Sequence, residues 1–280
     1  MGARLGWILL LLIGTGCADL RVVGDYARQS AQFTADTRLA QRYRDTYKRE
    51  EPFLAPREEP QEQATDRKRQ ASVVELLAIQ KGLTDYMNTL AKLAGEDTND
   101  AVIDIGNLDT NLSNMVQYGV NSAHVEALAG LANAVARGLT SSRQKRAIED
   151  MVTEADPHIQ DLARRMVDLV QLCRQSSRNE RAMVVNVLRV NIPYTRSGQA
   201  GGAEPAGTIL VNRLARAQLQ AREDEYSRAE AIFDQAGKGW ATLAAGHRQL
   251  ATGLRHLHGK ALLQALRPMA NDLRTLKNGL

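Results

Sequence analysis

Aromatic residues make up only 4% of the chain, which holds two cysteines and five histidines in 280 residues. Each scarcity excludes something. So few rings leave no platform of the kind that stacks on sugars or bases. Two cysteines cannot build a disulfide framework, and no C-x-x-C pair occurs. His124, His158, His247, His256 and His258 show neither H-E-x-x-H nor the Glu-x-x-His of di-iron bundles, and His256 and His258 fall on different sides of a helix. We therefore expect no metal and no cofactor. Strand-like alternation is missing over any length. The formal net charge of +4 is mild and gives no case for nucleic acid.

What is present begins at the N-terminus. Met1 to Arg4 is a short basic start, and LGWILLLLI from Leu5 to Ile13 is apolar apart from one glycine. Gly14-Thr15-Gly16-Cys17 follows, then Ala18-Asp19. A basic start, a short apolar core and small residues before a cut define a secretory signal, and the apolar run is far shorter than the roughly 20 residues that cross a bilayer. Cysteine directly after the small residues resembles the lipobox of bacterial lipoproteins. Thr15 and Gly16 fit that pattern; Gly14 stands where it usually holds a large aliphatic residue, which here is Ile13, one place early. The resemblance covers residues 1–17. It implies that residues 1–16 are removed, that Cys17 carries the lipid, and that the chain faces the periplasm. Ala18 rather than Asp after the cysteine favours the outer membrane over the inner by the same resemblance. An acylated Cys17 leaves Cys173 without an intramolecular disulfide partner, so packing alone must hold the domain together.

Apolar residues spaced by three and four dominate the rest and predict an all-α fold. Val23, Tyr26, Phe33, Ala40 and Tyr47 mark a lipid-anchored first helix within residues 17–49. Pro52, Pro56 and Pro60 mark 50–64 as a linker. Leu76, Leu83 and Leu90 are seven apart, with Val73, Met87 and Ala94 on a companion row that Gln80 interrupts, so a second helix spans about Thr65 to Ala94. Ile105, Leu108, Leu112 and Met115 mark another helix, and Leu128, Leu131, Val135 and Leu139 a shorter one. Ser141 with Gln144 resembles a capping box. The row from Ile148 through Leu162 to Cys173 runs unbroken past Pro157, so either a new helix starts there or one helix bends. Helices continue to about 195, where a Gly-rich loop at 196–207 ends them.

Residues 208–280 read as one long helical segment packing on the same bundle. Leu219, Tyr226, Phe233 and Trp240 are seven apart, as are Ala229, Ala236, Leu243, Leu250 and Leu257. Gly239, Gly246 and Gly253 share that spacing, which suggests close approach of a neighbouring helix, or else a weak, frayed stretch. Pro268 is expected to bend or end the segment. The whole predicts an elongated up-and-down helical bundle with coiled-coil-like packing.

Motifs that carry chemistry are few. Ser142-Arg143-Gln144-Lys145 matches the S-x-x-K of penicillin-binding proteins, but S-D-N and K-T-G are missing, so a helix start with a solvated lysine is the better reading. Arg143, Lys145 and Arg146 read as a solvated face. Cys173 reads as a small hydrophobe on an apolar row, and His247 as a seam residue bonding across the bundle. No catalytic residue is assigned. These readings point to an envelope lipoprotein acting as a non-enzymatic helical scaffold or adaptor. Its expected partners are the membrane, through the lipid on Cys17, and a periplasmic protein or a second copy of itself. The alternatives are a membrane-apposed module that senses or shapes the lipid surface and a cell-wall-related enzyme.

Overall fold

A computed structural model describes residues 14–95, 122–140, 143–192, 206–256 and 259–280. Among them every regular element is helical. In chain order these are α1 (Gly14–Thr34), α2 (Arg38–Arg44), α3 (Thr46–Glu50), a 3₁₀ turn (Glu51–Phe53), α4 (Glu59–Ala94), α5 (Ser122–Thr140), α6 (Gln144–Asn191), α7 (Ala206–His256) and α8 (Gly259–Gly279). The helix marked by Ile105 to Met115, the residues Ser141 and Ser142, and most of the 196–207 loop lie outside the described residues. No described helix is long and apolar enough to cross a membrane.

The long helices pack antiparallel. α6 lies along α7, with Asp156 against His247 at one level and Glu180 against Tyr226 further along. α1 lies along α4, with Gly24 beside Ala94 and Thr34 bonded to Thr84. One continuous core runs through these helices, and the seam leucines Leu83 and Leu250 are fully buried in it. α6 has 48 residues, or about 72 Å of helix. The bundle is accordingly elongated.

Pro157 sits inside α6 without ending it, so the two candidate helices there are one. The row from Ile148 to Cys173 stays buried throughout. α7 is likewise continuous through Gly237 and Gly239.

Several boundaries differ from the sequence reading. The first helix does not run on to residue 49: it stops at Thr34, and two short helices follow. The break is held by specific bonds. Gln80 donates its amide N–H to the Asp36 carbonyl at 2.7 Å, and the Asp36 carboxylate accepts the backbone N–H of Arg38 at 3.0 Å. Gln80, the polar interruption in the α4 seam, is thus there to satisfy a backbone group freed by the turn. The 50–64 linker shrinks to residues 54–58, because Pro52 and Pro60 occupy the first turns of a 3₁₀ turn and of α4, where the missing N–H costs nothing.

Gln144 does not cap its own helix. Its side chain donates to the carbonyls of Leu93 and Gly95 at 2.7 and 2.9 Å, closing the C-terminus of α4. The C-terminal segment is two helices, not one. α8 turns back along α7, bringing Gly279 beside Gln235, and it continues through Pro268.

The glycine stripe on α7 has a concrete cause. A Cβ on Gly239 would fall 2.2 Å from the Phe33 ring, and one on Gly246 would fall 2.4 Å from the Tyr26 ring. Both rings come from α1. The close approach is of aromatic side chain to backbone, and it seats α1 against α7 in one register. Phe33 also meets Trp240 edge-on at 5.0 Å between ring centroids.

Candidate functional site

The bundle has two poles. One gathers the N-terminal turn of α1, the C-terminus of α4 and the start of α6. The other gathers α2, α3, the start of α4 and the far ends of α6 and α7. Cys17 falls in the first turn of α1, at the first pole. Its side chain lies outside what is described. Arg21 and Arg28, near that end, are exposed.

Nearer the first pole lies a polar network in an apolar core. The Tyr86 hydroxyl and His247 Nε2 are 2.7 Å apart, and His247 Nδ1 and Asp156 Oδ1 are 3.0 Å apart. The arrangement that pairs every group has His247 donating through Nδ1 to the carboxylate and accepting from Tyr86. Gln160 also donates to Asp156, at 3.0 Å. Burial presses the His247 pKa below its ordinary value, and the bond to Asp156 only partly opposes this. Burial acts to raise the Asp156 pKa, but the bonds from His247 and Gln160 outweigh it and hold the carboxyl below its usual range. Beside them Tyr26 donates to the Leu243 carbonyl at 2.6 Å. Tyr26, Tyr86 and His247 are fully buried, the Asp156 side chain is 20% exposed, and the network ties α1, α4, α6 and α7 together.

Towards the second pole, α6 and α7 run on as a hairpin beyond the main core. A separate small core of Val184, Val185 and Tyr226, with Phe53 against it, joins the two helices there. Ion pairs clamp its base. Glu180 is fully buried and accepts from Arg49 at 2.7 and 2.9 Å and from the Tyr226 hydroxyl at 2.9 Å. Arg42 donates to Glu225 at 2.7 Å and lies over the Tyr226 ring. Glu230 takes Arg174 and Arg178 of α6. Arg189 pairs with Glu223 at 2.5 Å.

Past these clamps the hairpin exposes large apolar side chains. Val190 is 79% exposed, Val211 61% and Leu214 60%, with Leu210 close to them. Exposed large hydrophobics are sparse elsewhere among the described residues, Leu172 being the exception.

The other residues singled out in the sequence do little together. Cys173 is buried and free, and burial raises its thiol pKa to about 12, which fits an inert core thiol. His158 packs on Gly130, and His124 Nδ1 lies 2.8 Å from Glu75. His258 lies outside the described residues, as does the side chain of His256. Lys145 and Arg146 are solvated, and each has only a loose partner one turn on, Glu149 and Asp150 at 3.9 Å. Among the described residues no group of three or more His, Cys, Asp or Glu could hold a metal ion.

Sequence reasoning missed the apolar hairpin end. Val190 falls on the apolar row that continues from α6, and Leu210 and Leu214 were not singled out. Only the three-dimensional packing reveals that the bundle stops short of them. No family model matches the chain, and no curated protein or solved structure matches it either.

Proposed function

We propose that this chain is an envelope lipoprotein that works as an anchored adaptor: Cys17 holds one pole at the membrane, and the α6–α7 hairpin presents the other pole to a periplasmic protein. The observation that carries this reading is the polarity of the rod. From the Tyr26–Gly246 contact near the anchor to Leu210 at the hairpin end, α7 advances 36 residues, or about 54 Å. The packed part of α1 begins by Val23, only a few residues after Cys17, which supports a short connection between anchor and bundle. An apolar patch held at fixed reach suits docking of a partner rather than a lipid surface.

Metabolic labelling with a fatty acid tests the anchor. The wild type should incorporate label and fractionate with membranes, and Cys17→Ser should do neither. Label retained by Cys17→Ser would overturn the assignment. The rigid-spacing half of the proposal is tested separately by inserting a long Gly/Ser stretch after Asp19. Acylation and folding should survive, while complementation of a deletion strain should fail. Full complementation would mean that fixed reach is irrelevant.

A further inference from the structure

The apolar hairpin end is also where the chain keeps its positive charge. Residues 181–222 hold six arginines and one glutamate, with no lysine and no aspartate, in a chain whose formal net charge is only +4. The rest of the chain is therefore slightly acidic. Glu180 and Glu223 bound the stretch, and an arginine already holds each of them. Arg189 pairs with Glu223 and Arg222 with Glu225. Arg181, Arg213 and Arg216 are exposed and make no ion pair among the described residues.

Charge and apolar surface share one helix at the tip. Leu219 and Tyr226 of α7 turn inward and pack with Val184 and Val185 of α6. Leu210, Leu214 and Ala217, spaced by four and three, lie on the opposite stripe, and Leu210 and Leu214 are 58% and 60% exposed. Arg213 and Arg216 run along the edge of that stripe. One apolar stripe of α7 thus builds the hairpin, and a second, rimmed by unpaired arginines, is left open. A helix of this form lies in a groove and is read through apolar anchors at i and i+4.

We propose, resting on the anchored-adaptor reading, that the open stripe seats in an apolar groove on an acidic protein, whose carboxylates receive Arg213 and Arg216. The planar fork of arginine takes a carboxylate through two parallel hydrogen bonds, which lysine cannot do. Six arginines without a lysine is also the bias of protein interfaces, which are enriched in arginine and depleted in lysine. An anionic lipid surface draws either cation equally. The hairpin end of a second copy is a poor occupant, because the two ends carry the same charge and like charges oppose docking.

Photocrosslinking of the full chain in living cells, from p-benzoylphenylalanine placed at Leu214, tests this in three backgrounds. The first keeps both arginines, the second carries Arg213→Glu with Arg216→Glu, and the third carries Lys145→Glu with Arg146→Glu at the anchor pole. The last two change the net charge equally, and all four residues are exposed, so both variants should keep the thermal midpoint of the wild type. The expected result is a protein adduct whose crosslinked peptide, identified by mass spectrometry, lies among Asp and Glu residues. Its yield should fall at least about tenfold in the Arg213/Arg216 variant, where like charges now meet, and hold in the Lys145/Arg146 variant. A protein adduct undiminished by the Arg213/Arg216 change, or lost equally in both variants, would overturn the acidic partner while leaving the adaptor reading in place. An adduct to a second copy of this chain would also overturn it. An adduct to lipid alone, or none at all, would overturn both.

Discussion

Gly246 of α7 and Tyr26 of α1 occupy each other's space: a Cβ on the glycine would lie 2.4 Å from Tyr26 Cε2 and 3.0 Å from its hydroxyl. The ring cannot swing away, because its hydroxyl is bonded to the Leu243 carbonyl one turn earlier on α7. Gly246→Ala therefore has to overpack a filled site, which costs about 1–3 kcal/mol, more than the gain of about 1 kcal/mol from better helix propensity. Gly237 is the control, since nothing lies within 4 Å of its added Cβ. Gly237→Ala should raise the thermal midpoint while Gly246→Ala lowers it. Equal effects of the two would mean that α1 does not seat on the stripe.

His247 predicts loss of stability in acid. Its pKa is lowered by burial, so the folded chain binds its proton less readily than the unfolded one. The stabilising contribution is full above the unfolded value of about 6.5 and is lost as pH falls through the lower folded value. Urea midpoints should drop between pH 7.5 and 5.5. His247→Gln, which cannot titrate, should start from a lower midpoint but show a shallower drop. An identical slope in the variant would place the acid sensitivity elsewhere.

Glu50 predicts the opposite trend. Its folded pKa is raised, so its contribution is full below the unfolded value near 4.5 and is lost as pH rises through about 8. Glu50→Gln should gain stability relative to wild type between pH 6 and 9. Parallel curves for the two proteins would show that Glu50 ionises freely.

Arg49 ties the hairpin base to α3. Removing it leaves the fully buried Glu180 carboxylate with only the Tyr226 hydroxyl, and breaking a buried pair from one side costs about 3–5 kcal/mol. Arg49→Met should lower the unfolding midpoint sharply. Pairing it with Glu180→Leu should recover much of the loss, which a double-mutant cycle by denaturant titration would measure.

Much of this architecture was legible because heptad spacing reports burial directly. Leu76, Leu83 and Leu90 marked α4, and the row from Ile148 to Cys173 marked the buried face of α6 while leaving both a new helix and a bend open at Pro157. His247 could be read as a cross-bundle bond because it sits on an apolar row. Places where a side chain serves a distant backbone were not legible. Gln80 looks like a flaw in a seam and Gln144 like a cap for its own helix, yet each satisfies carbonyls on another element. The hairpin end was hidden for a related reason: spacing says which face of a helix is apolar and is silent about where its neighbours stop. The buried pairing of Arg69 with Glu50 and Glu62 left no local signal either, since both carboxylates stand in a stretch that reads as linker.

The anchored-adaptor proposal rests on which end of the rod meets a partner, and site-specific photocrosslinking in living cells tests that most directly. A photoreactive residue placed at Leu214 or Val190, both exposed on the hairpin, is compared with one at Arg146, exposed at the anchor pole. The prediction is a discrete protein adduct from the two hairpin positions, lost when Leu210 and Val211 are both changed to Ser, and no matching adduct from Arg146. Adducts to lipid from the hairpin positions, or a protein adduct confined to Arg146, would contradict it.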